Sequence, residues 1–145
     1  MRLSPTNLRE LATDGLQAKL TKPKPLPYPS ESVEQQALVR WWDAVCRTRW
    51  GLPKIALIAF PLQGHRTPRN GARMKREGCR AGTLDMLLFA PRFGFSCLWI
   101  ENKTPVGKLT AEQNEMRDFL LHNNARVEIC RSAEEAIKVI EDYLT

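Results

Sequence analysis

Three ionisable residues bracket two short apolar runs in a pattern that can do chemistry: Asp85 opens the run 85–90, and Glu101 and Lys103 close the run 96–103. Both runs are rich in apolar and aromatic residues and are bounded by Gly and Pro, so they read as two β-strands with a turn over 91–95. Strand side chains alternate between faces, which puts Glu101 and Lys103 on one side and points Asn102 away. Antiparallel pairing would then bring Asp85 next to Glu101 and Lys103. Two carboxylates at close range raise one another's pKa unless a cation lies between them, and an oxygen-only pair suits Mg2+ or Mn2+. A neighbouring Lys can orient or deprotonate water. Together these groups could direct metal-assisted attack of water on a phosphodiester. The bland alternative is a surface Asp and a Glu–Lys pair at charged strand ends facing solvent.

The rest of the chain supplies elements that could hold such a cluster. A helix is expected from residues 30–32 to about Arg47, with a capping box at Ser32–Gln35. Its stripe is Glu34, Leu38, Trp41 and Val45, which places Glu34 on the inner face. Trp41 reads as core, and Trp42 is left open between core and base stacking. A continuous apolar run at 55–60 suits a buried strand ending at Pro61. Between Gln63 and Gly82 lie Arg66, Arg69, Arg73, Lys75, Arg76 and Arg80, opposed only by Glu77 and interleaved with Pro68, Asn70, Gly71 and Gly78. This stretch reads as a mobile basic loop, either a solvated charge run or a phosphate grip leading into Asp85.

After Lys103, Thr110 and Gln113 form a Thr-x-x-Gln capping box for a helix carrying Met116, Phe119 and Leu120. Gln113 could therefore serve as a cap, or could hydrogen-bond the carboxylates or a phosphate. Asn123 and Asn124 would end that helix, 125–130 would form a last strand, and Ser132 would cap a last helix. The sum is an α/β fold, a small mixed β-sheet flanked by helices with its chemistry at a sheet edge. Residues 3–20 have weak helical periodicity and 21–29 are proline-rich, so 1–29 read as an arm and linker and 30–145 as the domain.

Composition narrows the class. With 145 residues, 43% hydrophobic content and no run of membrane-spanning length, one soluble core is expected. The N-terminus has no secretory h-region, which makes the cytoplasm the default compartment. Cys46, Cys79, Cys97 and Cys130 are scattered without zinc spacing and read as reduced thiols. His65 and His122 have no partner spacing and receive no catalytic role. A net charge of +6 fits a polyanionic partner.

Taken in order, Glu34-Gln35-Gln36, the basic glycine-containing stretch, Gly82-Thr83-Leu84-Asp85, Ile100-Glu101-Asn102-Lys103 and Leu109-Thr110-Ala111-Glu112-Gln113 give the chain a family likeness. It resembles the VRR-NUC branch of the PD-(D/E)XK nuclease superfamily from about Ser32 onward. The resemblance implies a restriction-endonuclease-like core, with Asp85 and Glu101 holding Mg2+ or Mn2+, Glu34 reaching that metal directly or through a bound water, Lys103 assisting the attacking water, and Gln113 completing the site. Two positions depart from the family pattern: Leu84 stands where Pro is usual, and Asn102 where an apolar residue is usual. The implied partner is DNA, branched or duplex, cut by a structure-selective endonuclease of replication, recombination or repair, and such a compact nuclease could form a homodimer. The alternative is a nucleic-acid-binding module that keeps the fold without turnover. A third reading is an interaction protein with a coincidental motif.

Overall fold

The structure is a computed structural model that describes residues 27–62 and 67–145. Helix α1 spans Glu31–Trp50 and begins at Ser30, whose hydroxyl accepts from the Val33 N–H. The cap thus uses Ser30 and not Ser32, whose hydroxyl instead accepts from the Gln36 amide. Glu31 and Glu34 in the first turn and Arg47 and Arg49 in the last complement the helix dipole, and Gly51 ends the helix at φ 68°. A short 3-10 turn at Lys54–Ala56 leads into β1, Leu57–Ala59.

Next come α2 (Pro68–Arg76), β2 (Met86–Leu88), β3 (Leu98–Asn102), α3 (Ala111–His122), β4 (Arg126–Cys130) and α4 (Ala133–Leu144). The strands form one sheet in the order β1-β2-β3-β4. Antiparallel pairing joins β1 to β2 and β2 to β3, whereas β4 runs parallel to β3. A parallel neighbour requires a crossover, and α3 provides it. This is the mixed sheet flanked by helices that the sequence implied.

Three further sequence expectations differ in detail. The strands are shorter than the apolar runs, because β2 gives way to Pro91 and a two-residue turn at Phe93 (φ 50°) and Gly94 (φ 86°). The basic stretch forms a helix where a mobile loop was expected: Thr67 caps α2 through its hydroxyl, Pro68 fits the first turn, and Gly78 turns the chain beyond it at φ 98°. No α2 residue is buried. The buried stripe of α1 is Leu38, Trp42 and Cys46, one position round from Leu38, Trp41 and Val45.

Trp42 settles into the main core. Its indole N–H donates to the Lys54 carbonyl at 2.9 Å, and its ring stacks on Trp50 with centroids 6.0 Å apart. That core joins α1 and α4 to one sheet face through Leu38, Met86, Leu88, Leu98, Ile100 and Ile140. A second cluster lies under α3, where Leu84, Leu120 and Ala125 pack with Trp99, Met116 and Val127. All four cysteines are free thiols, and burial pushes Cys130 up to about 12, which makes it an inert core group.

Candidate active site

Strand β3 carries Glu101 and Asn102 at its end with Lys103 next in line, and Asp85 sits at the bend entering β2. Since Met86 pairs with Ile100, the register sets Asp85 beside Glu101. The pairing switches here from backbone to side chain. The Asp85 N–H donates to Glu101 Oε2 at 3.1 Å, and the Asn102 N–H donates to Asp85 Oδ2 at 2.8 Å. Each carboxylate therefore holds the other's strand.

The second Glu101 oxygen is held as tightly. Lys103 Nζ lies 2.6 Å from Glu101 Oε1, and Gln113 Nε2 donates to the same oxygen at 2.5 Å. Gln113 also completes the capping box of α3, its Oε1 accepting from the Thr110 N–H at 3.0 Å. One amide thus serves both roles between which the sequence left it open. Glu101 is fully buried, and Asp85, Lys103 and Gln113 are each less than one-tenth exposed.

Burial raises the pKa of both acids above the ordinary carboxylate range. For Asp85 the main opposing influences are the Asn102 N–H and the Lys103 charge, while Glu31 pushes further upward. For Glu101 the Lys103 hydrogen bond opposes burial, and the Asp85 charge adds to it. Two acids buried together at such cost form a donor pair whose repulsion a cation would relieve.

The residues of this chain fit a divalent metal on that evidence. Among the described residues no three His, Cys, Asp or Glu side chains converge to hold an ion. Mg2+ needs no such cage: it uses one or two carboxylates together with water and substrate phosphate oxygens. Asp85 and Glu101 provide such a pair.

Glu34 goes elsewhere. Its carboxylate accepts from the Ala133 N–H at 2.7 Å, capping the start of α4. The helical acid whose charge reaches Asp85 is Glu31, one turn nearer the N-terminus, and it also accepts from the Thr104 N–H at 3.1 Å. Asn102 points away from Glu101 as alternation requires, its amide donating to Gln35 Oε1 of α1 at 3.4 Å, while its backbone N–H holds Asp85. Glu31, Gln35 and Asn102 are thus the site neighbours that sequence reasoning missed. The signal for the first two was the stripe Glu31, Gln35, Leu38, Trp42, which has the same helical spacing as the one chosen.

The VRR-NUC domain family profile matches residues 30–134. The chain belongs to the VRR-NUC family. That family is a branch of the PD-(D/E)XK nucleases, so the chain is a nuclease-fold domain. A solved structure described as a VRR_NUC domain protein is similar with a TM-score of 0.67 at 22% identity, over 82% of this chain and 91% of that one. No curated protein matches. Among the described residues no helix is long and apolar enough to cross a membrane.

In this VRR-NUC domain the glycine before Asp85 has a steric role. Gly82 adopts φ +84°, and a Cβ there would lie 2.3 Å from the Glu112 carbonyl oxygen. Only glycine lets the approach to Asp85 pass under the first turn of α3. A cleft of about 370 Å3 opens beside this crossing, lined by Leu62, Met74, Lys75, Arg80 and Thr110 and reaching Gln113. Arg69, Arg73, Lys75 and Arg76 are exposed on α2, and Arg80 is exposed just beyond it. Arg66 lies outside the described residues.

Proposed function

We propose that this chain is a Mg2+- or Mn2+-dependent nuclease that hydrolyses phosphodiester bonds of DNA, with structure-selective cutting in replication, recombination or repair as its setting. The observation that carries the reading is the buried group of Asp85, Glu101 and Lys103 braced by Gln113. Asp85 and Glu101 would hold the metal, which when bound lowers the pKa of water and polarises the phosphate. Lys103 keeps an ammonium at Glu101, where it can hydrogen-bond the attacking water or a phosphate oxygen and offset charge gathering on the phosphorane. Gln113 fixes the rotamer of Glu101, and the Asn102 N–H fixes Asp85. Such supports keep reacting groups in place without reorganisation. Glu31 adds negative charge beside Asp85, and Arg69, Arg73, Lys75, Arg76 and Arg80, with Arg66, would grip flanking phosphates.

The test is cleavage of flap, branched, nicked and linear DNA with each metal, for wild type, Asp85→Asn and Lys103→Ala. Asp85→Asn should lose metal affinity, whereas Lys103→Ala should keep DNA and metal binding yet slow the single-turnover rate by about 100-fold or more. Metal-dependent cutting that survives both changes rules the site out. DNA binding without products from any substrate would instead support the non-catalytic module. Sedimentation at cleaving concentrations decides whether a homodimer acts.

A further inference from the structure

The face of the sheet that carries Glu101 continues as an apolar strip whose β1–β2 half no helix covers among the described residues. Alternation along β3 puts Trp99 on the same face as Glu101, about 7 Å away along the strand. Trp99 pairs with Leu87, and Leu87 with Ile58, so all three share that face. Helix α3 covers only the β3–β4 half, packing Trp99 against Leu84 and Leu120. On the other half the Phe60 ring stacks on Trp99, with centroids 5.4 Å apart and planes at 21°. The Phe60 N–H is bonded to the Asp85 carbonyl at 2.8 Å, which ties this ring to the start of the site. Ile58 is 39% exposed and Phe89 64% exposed, and Ile58, Phe60, Leu87 and Phe89 join neither core cluster.

We infer that this strip, centred on Phe60, is a stacking subsite for an unpaired nucleobase next to the scissile phosphate. The inference rests on the nuclease reading and narrows its substrate to single-stranded or locally opened DNA. Three observations favour a nucleobase over another occupant. The strip is continuous with the candidate catalytic carboxylates, its half-buried Phe60 ring lies within 21° of parallel to a tryptophan already anchored in the fold, and the basic groups of α2 supply the charge that a phosphate chain requires. A flat π-face on a fixed platform accepts any base, and phosphate contacts position the strand. Duplex bases stacked within a helix cannot reach such a surface; extruded or frayed ones can.

The experiment measures binding of the metal-free protein to single-stranded DNA, and its cleavage with Mn2+, using oligonucleotides with one abasic residue placed in turn at each position around the mapped cut. Phe60→Leu keeps apolar bulk and removes the ring, and Phe89→Ala alters a mostly exposed position, so both variants should fold. One abasic position beside the cut, and Phe60→Leu, should each weaken binding about tenfold, and their combination should lose no more than either alone. Fluorescence of 2-aminopurine at that position should be quenched by wild type and not by Phe60→Leu. Unchanged affinity in both variants, or losses that simply add, overturns the stacking subsite and leaves the nuclease standing. If wild type neither binds nor cuts any nucleic acid, both readings fall. If Phe89→Ala dissolves a self-associated species without touching DNA affinity, the strip is an interface between copies, and the subsite is overturned.

Discussion

Glu101 has three donors converging on it, from Asp85, Lys103 and Gln113, and such networks are costly to break singly because the remaining partners stay buried. The acid pair is nonetheless strained in charge. Burial holds Asp85 and Glu101 above the ordinary carboxylate range, so the folded state binds protons more tightly than the unfolded one. That contribution is present below the unfolded carboxylate pKa and is lost as pH rises through the raised values. Without divalent ions, Asp85→Asn should therefore raise the melting temperature at neutral pH by roughly 2–6 °C, and the gain should shrink in acid. Calorimetry showing no gain at neutral pH would contradict the charge argument. Glu34 and Glu31 separate two further roles. Loss of the α4 cap in Glu34→Ala should cost about 1 kcal/mol of stability with DNA cleavage retained, whereas Glu31→Gln should change metal affinity with little effect on folding. Chemical denaturation and metal titration of the two variants distinguish them.

Among the elements, α3 does most to assemble the site, since its first turn places Gln113 and also receives the close approach of Gly82. Gly82→Ala meets both a left-handed backbone and a clash with Glu112, so it should destabilise the fold by about 2–4 kcal/mol and disturb Gln113. Thermal melts and the cleavage rate would show both effects together. Helix α2 differs in kind, with basic side chains and no buried residue. Replacing Arg73, Lys75 and Arg76 by Ala should barely change stability, yet reduce the slope of log affinity against log salt for DNA by about 2–3. An unchanged slope would remove α2 from the DNA path. This helix could have been found in the sequence from Thr67 and Pro68, a cap and first-turn proline; charge density and two glycines masked that signal.

On the scale of the whole molecule, the sheet separates a large core under α1 and α4 from a smaller one under α3, and the carboxylates sit where strand pairing ends beside both α1 and α3. A bound ion relieves repulsion that the fold otherwise carries, so Mg2+ or Mn2+ should stabilise the entire domain, by about 2.7 kcal/mol at one hundred times its dissociation constant. Asp85→Asn should abolish that response, which a metal titration followed by melting temperature would report. The order of elements apart from α2, the strand pairing that brings Asp85 to Glu101, the face shared by Glu101 and Lys103, and the cap at Thr110 were legible in sequence because each follows from local rules: period-two alternation, turn residues and capping chemistry. Tertiary packing alone set Glu31 and not Glu34 beside Asp85, brought the Asn102 amide to Gln35, gave Gln113 two bonds at once, and left the Phe60 strip without a covering helix among the described residues. A helical stripe one residue out of phase has the same spacing, and only the shape of the neighbouring sheet and helices decides which phase is buried.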